Sequence, residues 1–400
     1  HYLAFVLPAG SGDKIGMVDL GEAKVIEQTA ADLKKAVQDA KDLSGAQTGA
    51  LSKKLYELIF ARIKGELGAA KEIFISPDGQ LSLIPFEILL SPDGRYLIED
   101  YTFNYLASGR DVLAFGQIKE QAGHSLLVGD PDFNLSGDQN PKPSETSDIS
   151  RGRFQVARRS MATRGLSFDP LPGARAEVQA IRQVLKETDA EVYVGAEALE
   201  QVLTRKMAPR LVHLATHGFF LNDQAITELT SAQGQELDIY RNAPLGQRPI
   251  PGAKWENPLL RSGLALAGAN SALKSDAPEK TDGLLTAEKV LGLRLRGTDL
   301  VVLSACETGL GEVKIGEGVY GLRRAFIQAG TKGLVMSMWS VPDRETKEMM
   351  VELYKNLSSG KMNRAEALRQ AALQQKKVAR QRYGGANPLF WGAFVFLGEP

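Results

Sequence analysis

Two apolar stretches, one followed by a histidine and the other by a cysteine, decide how this sequence is interpreted. The first is Leu-Val-His-Leu-Ala-Thr-His-Gly-Phe-Phe at residues 211–220, and the second is Leu-Val-Val-Leu-Ser-Ala-Cys-Glu-Thr-Gly at residues 300–309. Each starts as an apolar run with the length of a buried strand and breaks where glycine follows. The sequence therefore predicts two buried strands, with His217 at the carboxyl end of one and Cys306 at the carboxyl end of the other.

The rest of the chain beyond about residue 120 alternates short apolar strands with amphipathic helices. This alternation is typical of a mostly parallel sheet with helices on both faces, so the predicted fold class is α/β with a six-stranded sheet. The predicted strands are 125–128, 191–194, 211–216, 299–304, 333–338 and 393–397. The predicted helices are 175–185, 198–207, 319–329, 344–356 and 364–377.

The first 120 residues are predicted to form a smaller α+β subdomain. Residues 1–20 alternate as a hairpin would, two helical stretches follow, and two Pro-Asp-Gly turns at 77–79 and 92–94 indicate a small β-rich layer over 71–107. The main domain is then 121–400, interrupted by long insertions near 132–168 and 222–282. The opening segment is too short to span a membrane, and we interpret it as the first strand of a fragment of a longer protein.

The composition excludes several kinds of partner. Lys plus Arg and Asp plus Glu both total 48, so the formal net charge is zero and no overall field favours nucleic acid or an anionic membrane. The basic stretch at 151–159 is interpreted as a solvated loop. The single cysteine cannot form an internal disulfide, which predicts a reducing compartment and a cytoplasmic location.

The two strand ends predict a nucleophile and its base. In an open parallel sheet all carboxyl ends lie along one edge, so His217 and Cys306 can meet there although they are distant in sequence. A thiol needs a nearby base to become a good nucleophile, and His217 would supply it. The backbone N–H groups of Gly218 and Cys306 are the candidate donors of an oxyanion hole.

Other interpretations of these residues stay open. A lone cysteine can be a small buried hydrophobe, and His213, in mid-strand, is interpreted as a core histidine with satisfied hydrogen bonds. No zinc-type spacing is present, so a metal site is not expected. The motif Gly-Glu-Gly-Val-Tyr-Gly at 316–321 matches a dinucleotide fingerprint, but its first glycine lies ten positions after Cys306 instead of directly after a strand.

Several motifs together resemble those of the CHAT family. This family is a branch of the caspase-like cysteine peptidases (clan CD), which also include caspases and separase. The motifs are His-Leu-Ala-Thr-His-Gly (213–218), Asn-Pro-Leu-Leu-Arg-Ser-Gly-Leu (257–264), Leu-Ser-Ala-Cys-Glu-Thr-Gly (303–309) and Gly-Leu-Arg-Arg-Ala-Phe (321–326). Further matches at 75–86 and 387–394 extend the resemblance over almost the whole chain.

The resemblance implies a cysteine endopeptidase with the His–Cys dyad on His217 and Cys306, acting on a protein substrate without a cofactor. It also implies that 1–120 is a caspase-like subdomain or a degenerate caspase-like half, and that a regulatory protein or an upstream TPR-type sensor region controls the activity. Met-Trp-Ser-Val-Pro-Asp (338–343) is similar to a separase segment that helps form the pocket for a basic residue at the cleavage site.

Asp343 is therefore a candidate for the S1 pocket that binds this basic P1 residue, with Glu307 as a second candidate. The alternative for Asp343 is that it caps the helix predicted from about residue 344. Arginines in the 151–164 loop make self-cleavage there conceivable. The alternative function is a catalytically silent caspase-like scaffold, since a fold alone does not establish an activity.

Overall fold

In the computed structural model of this chain, the described residues are 1–10, 14–39, 43, 45–119, 123–136, 166–185, 190–205, 208–220, 257–274, 282–307 and 317–400. Most of the predicted insertions near 132–168 and 222–282, including the arginine-containing loop at 151–164, lie outside these ranges. The division of the chain at residue 120 remains a prediction. Within the described ranges, no helix combines the length and the apolar character needed to cross a membrane.

The chain opens with the predicted hairpin and helices. Strand β1 (Tyr2–Val6) pairs antiparallel with β2 (Gly16–Gly21), as the alternation over residues 1–20 predicted. Helix α1 (Ala23–Gln38) follows, and then α2 (Ala46–Leu55) runs through a π-helical turn (Tyr56–Phe60) into α3 (Ala61–Leu67). Buried apolar side chains of α1 and of the π-helical turn, such as Leu33 and Phe60, join the main core.

A large sheet of eight strands forms the centre of the molecule. Its strands are β3 (Glu72–Ile75), β4 (Thr102–Tyr105), β5 (Leu126–Pro131), β6 (Glu191–Gly195), β7 (Leu211–Ala215), β11 (Leu300–Leu303), β13 (Gly333–Ser337) and β14 (Phe394–Gly398). Their order is β3-β4-β14-β13-β11-β7-β5-β6, and every neighbouring pair is parallel except β13 with β14. The predicted α/β class, with a mostly parallel sheet, is confirmed.

The predicted strand number was wrong, since the sheet has eight strands instead of six. The two additional strands are β3 and β4, which join the sheet where Tyr105 pairs with Leu397 of β14. The turn predicted at 92–94 does join paired residues, since Leu90 and Tyr96 on either side of it form an antiparallel bridge. The turn predicted at 77–79 does not, because β3 and β4 are parallel and a tight turn cannot link parallel strands. Short 3₁₀ helices at Gly79–Leu83, Phe86–Ile88 and Leu97–Glu99 fill the crossover instead.

A second sheet of four strands lies beyond the ends of β7 and β11. It contains β8 (His217–Phe220), β9 (Ser262–Ala265), β10 (Leu284–Thr286) and β12 (Cys306–Glu307), in the order β10-β9-β8-β12. Strand β9 comes from the segment predicted as the second insertion. The chain therefore passes from the large sheet into the smaller one twice, from β7 into β8 and from β11 into β12.

Helices cover the large sheet and confirm the five that were predicted. They are α4 (Pro172–Leu185), α5 (Glu200–Arg205), α8 (Glu317–Gln328), α9 (Asp343–Ser358) and α10 (Arg364–Tyr383), accompanied by the short α6 (Ala269–Lys274) and α7 (Ala287–Leu291). Each of α4, α8 and α9 buries an apolar stripe typical of a helix on a sheet.

A buried polar cluster connects β7 to two of these helices. His213 is fully buried, and its Nε2 lies 2.8 Å from Oε1 of Glu177 on α4. Its Nδ1 lies 3.1 Å from the Tyr354 hydroxyl on α9. Both ring nitrogens are therefore satisfied, which confirms the interpretation of His213 as a core histidine.

Candidate active site

The structure brings the two predicted strand ends together. In the large sheet β7 and β11 are parallel neighbours, with Leu214 paired to Leu303. Their continuations β8 and β12 are also parallel neighbours, and Cys306 is paired in register with His217. Paired residues on adjacent strands are separated by about 4.8 Å across the sheet. The expectation that the strands of His217 and Cys306 meet is thus confirmed, while the roles of the two residues stay predictions.

Hydrogen bonds at the crossing between the sheets hold this arrangement. The buried Thr216 hydroxyl donates to the Ala265 carbonyl of β9, which anchors the bend between β7 and β8. The Ser304 N–H donates to the Leu214 carbonyl at 3.0 Å, and the Ser337 hydroxyl donates to the Ala305 carbonyl at 2.7 Å. These bonds fix β8 just before His217 and β12 just before Cys306. They form because buried backbone groups must find hydrogen-bond partners.

The His217 imidazole has a defined hydrogen-bond partner in the segment before α4. Its Nε2 lies 2.8 Å from the carbonyl oxygen of Asp169. Because a carbonyl can only accept, Nε2 carries the proton, and Nδ1 of the neutral ring is left with its lone pair. The Asp169 carbonyl therefore selects the tautomer in which Nδ1 is the basic nitrogen.

Two aromatic rings cover the His217 imidazole. The Phe168 ring stacks on it at 29°, with 5.8 Å between ring centroids, and the Phe133 ring lies at 5.3 Å. Burial among these groups lowers the pKa of His217, although the hydrogen bond to Asp169 and the negative charges of Asp169 and Asp343 act in the opposite direction. Burial therefore favours the neutral form of the ring over the imidazolium.

Asp343 lies close enough to this site for its charge to act on His217. It is the first residue of α9, after the N-cap Pro342, and the capping alternative is wrong because no side-chain capping bond is formed at Pro342 and Asp343 lies inside the helix. Its carboxyl group lies against Gly173 in the first turn of α4, where an added Cβ would overlap it. The amino-terminal ends of α4 and α9 therefore both lie at this carboxyl group.

The remaining predicted site residues are partly placed. Gly218 follows His217 in β8 and is paired with Glu307 of β12 and with Leu264 of β9. The roles of Gly218 and of the Cys306 N–H in an oxyanion hole, and of Glu307 in a substrate pocket, remain predictions.

Gly316 of the dinucleotide-like motif lies outside the described residues, while Gly321 lies within α8. Within the described ranges, no three residues of the types that bind metals are grouped together.

The sequence interpretation missed the segment that holds the histidine. Asp169 acts through its backbone carbonyl, which any residue would supply, so no sequence signal marks it. Phe168 and Phe133 are ordinary core aromatics in sequence, and only the structure places them on His217. The one available hint was the position of 166–171, immediately before the predicted helix on the same sheet edge.

A mostly parallel sheet whose neighbouring strands β7 and β11 lead directly into the pairing of a histidine with a cysteine defines a caspase-like α/β domain. The chain belongs to the CHAT domain family, a caspase-like family whose model matches residues 49–399. It is also similar to tetratricopeptide repeat protein 28 of Mus musculus, with 26% identity over 366 residues, 86% of this chain and 13% of that protein. The protein of the same name from Homo sapiens is 27% identical over 360 residues, again 86% of this chain and 13% of the relative.

Proposed function

We propose that this chain is a cysteine endopeptidase domain in which His217 and Cys306 form the catalytic dyad. The observation that carries the proposal is the in-register pairing of Cys306 with His217 between β12 and β8. Residues paired across parallel strands share a face of the sheet, and the proposal is that the thiol and the imidazole at these positions exchange a proton. The tautomer set by the Asp169 carbonyl supports this role, because it leaves Nδ1 free to accept a proton.

The proposed reaction proceeds through a thioacyl-enzyme. The Cys306 sulfur attacks the scissile carbonyl carbon while its proton passes to Nδ1 of His217. The C–N bond then breaks, and the imidazolium returns the proton to the leaving amine. Water, deprotonated by His217, hydrolyses the thioester and releases the thiol. The N–H groups of Gly218 and Cys306 are assigned to the oxyanion of each tetrahedral intermediate.

A basic residue at P1 is the proposed substrate preference. Asp343 supports it, because its carboxyl group lies at the first turns of two helices and near enough to His217 for its charge to act on the imidazole. A guanidinium can form two parallel hydrogen bonds with such a carboxylate. Glu307, one position after the nucleophile, is the second residue assigned to this pocket.

Regulation by another region or partner is part of the proposal. The relatives are named for tetratricopeptide repeats, and this chain matches only 13% of each of them. A TPR-type region or a regulatory protein would then control access of a protein substrate to the dyad. The free thiol suits a reducing compartment such as the cytoplasm.

Covalent labelling tests the proposal. A peptidyl acyloxymethyl ketone ending in Arg should label the wild-type chain at Cys306, and the same peptide ending in Asp should label it at least tenfold more slowly. Cys306→Ala should abolish labelling and His217→Gln should reduce it strongly. Fragments cut within 151–164 that vanish in Cys306→Ala would add self-cleavage. Labelling by neither peptide would contradict the proposal.

The second candidate is a catalytically silent scaffold with the same fold. The observation in its favour is that the relatives' names describe a repeat protein and no peptidase. A scaffold would bind its partner equally well with Cys306→Ala and would leave the Arg-ending probe unreacted, whereas a peptidase would process bound substrate only with the thiol present.

A further inference from the structure

One buried side chain bonds both backbone polar groups of the residue before Asp169. Asn270, in α6, is 4% exposed. Its Nδ2 donates to the Phe168 carbonyl at 2.9 Å, and its Oδ1 accepts from the Phe168 N–H at 2.9 Å. An amide that bonds the N–H and the C=O of one residue acts as a neighbouring strand would, and it fixes that residue in position and orientation. A further bond from Nδ2 to the Asn134 Oδ1, at 3.1 Å, holds the amide itself.

We call the two hydrogen bonds between the Asn270 amide and the Phe168 backbone the Asn270 clamp. It lies next to two contacts of His217. Phe168 supplies the ring that stacks on the imidazole, and the following carbonyl, that of Asp169, accepts from Nε2. Displacing the Phe168 backbone would therefore move the stacking ring and the hydrogen-bond acceptor together. No other described group bonds both sides of the Phe168 backbone.

A second anchor holds the segment on the far side of Asp169. The Leu171 N–H donates to Oδ1 of Asp130 at 3.1 Å, and Arg175 holds the other carboxyl oxygen of Asp130 at 2.9 Å. Asp130 has φ of 48°, a left-handed conformation that a non-glycine residue adopts only when its surroundings require it. The Asp169 carbonyl is thus held between two fixed points, of which the Asn270 clamp is the nearer.

We propose that Asn270 is a positioning residue for the His217 imidazole, acting through the Phe168 backbone and the Asp169 carbonyl to fix its tautomer and orientation. That this positioning serves catalysis rests on the proposed function. The effect of Asn270 on the orientation of His217 does not. A histidine held in one tautomer presents its basic nitrogen in one direction, which a base requires for efficient proton transfer. The competing explanation is that Asn270 only docks α6 onto the body of the protein.

Nitrogen NMR of the whole chain, selectively labelled with ¹⁵N-histidine, separates the two explanations. At a pH where His217 is neutral, the wild type should show a protonated Nε2, an unprotonated Nδ1, and an Nε2 proton that exchanges slowly with water. The signals are assigned by their loss in His217→Gln. In Asn270→Ala the slowly exchanging proton should disappear, and the two ¹⁵N shifts should move towards each other.

Ser271→Ala is the matched control. Its hydroxyl, on the same helix, donates to the Asn134 carbonyl at 3.0 Å but does not touch the 166–171 segment, so the His217 signals should be unchanged. If Asn270→Ala does not fold, Asn270→Asp keeps an acceptor for the Phe168 N–H and removes the donor to the Phe168 carbonyl. It should weaken the protection of the Nε2 proton.

Wild-type His217 signals in a folded Asn270→Ala or Asn270→Asp chain would overturn the proposal and leave Asn270 as an anchor for α6. The readout needs neither Cys306 nor a substrate, so it is distinct from a failure of the peptidase assignment. With the Arg-ending probe, Asn270→Ala should lower the maximal labelling rate about tenfold, with little change in the half-saturating probe concentration. An unchanged maximal rate would contradict the positioning role.

Discussion

The carboxyl group of Asp343 lies directly against Gly173, so the first turns of α9 and α4 meet at a point beside His217. A Cβ at Gly173 would overlap the Asp343 carboxylate and also its Cβ, so rotating the carboxylate away does not relieve the contact. Only glycine lets these two helix ends approach this closely. The position of the proposed P1-binding acid therefore depends on a residue that carries no functional group.

Gly173→Ala should consequently impair recognition of a basic P1 residue. Alanine suits a helix, so we expect the chain to fold, with the Asp343 carboxylate displaced. Labelling by the Arg-ending probe should fall about tenfold, as in Asp343→Asn, while alkylation by iodoacetamide stays unchanged. The control is Gly65→Ala in α3, where an added Cβ meets nothing within 4 Å. Equal labelling of the Gly173→Ala chain and the wild type would contradict the assignment of Asp343 to the P1-binding pocket.

Tyr354→Phe should destabilise the fold without affecting the dyad. The Tyr354 hydroxyl is the partner of His213 Nδ1 in the fully buried cluster with Glu177, and its removal leaves that nitrogen unsatisfied. We expect a loss of about 1–2 kcal/mol in the free energy of unfolding, measured by urea denaturation.

The control for Tyr354→Phe is Tyr193→Phe, which removes a hydroxyl that donates to Glu191 on the same strand in a partly exposed position. Its loss should be a few tenths of a kcal/mol, roughly the value for an exposed bond. If the two substitutions cost the same, the buried cluster does not brace α4 and α9 against β7.

Glu87 should make the stability of the protein fall as the pH rises. Burial raises the pKa of Glu87 to about 7, although the hydrogen bond donated by Tyr105 at 2.7 Å acts in the opposite direction. Because the folded state then holds a proton that the unfolded state has released, the free energy of unfolding falls between pH 4.5 and 7. The contribution of Glu87 to this fall is about 3 kcal/mol.

Glu87→Gln should therefore lose less stability between pH 5 and pH 8 than the wild type. The glutamine keeps an acceptor for the Tyr105 hydroxyl and does not titrate. Part of the pH dependence should persist in the variant, since burial also raises the pKa of Glu200 to about 7. Urea unfolding at both pH values gives the comparison, and identical losses in the variant and the wild type would contradict the assignment.

The sequence was sufficient for the fold class and for the meeting of His217 with Cys306, because both rest on strong local patterns. Buried parallel strands have continuous apolar runs, and parallel strand ends collect at one edge. The same reasoning identified His213 as a core residue, since a mid-strand position between apolar neighbours points away from solvent.

The parts that escaped prediction depend on long-range or backbone interactions. Strand β4 joins the sheet through the pairing of Tyr105 with Leu397, almost 300 residues away in sequence. No local sequence pattern predicts this pairing. The smaller sheet depends on a bend after Ala215 and on a two-residue strand at Cys306, both too short to leave a periodicity. The Asp169 carbonyl and the Asn270 clamp are positioned by the completed fold alone.

The most direct test of the dyad uses the fact that Cys306 is the only cysteine, so thiol alkylation reports on that residue alone. We would measure the rate of alkylation by iodoacetamide from pH 5 to pH 10 for the wild type and for His217→Gln. An imidazole beside the thiol should make the wild type at least tenfold more reactive near pH 6, well below the ordinary thiol pKa of about 8.5. The two rates should converge near pH 10, where the thiolate forms without help. Superimposable profiles at every pH would contradict the account.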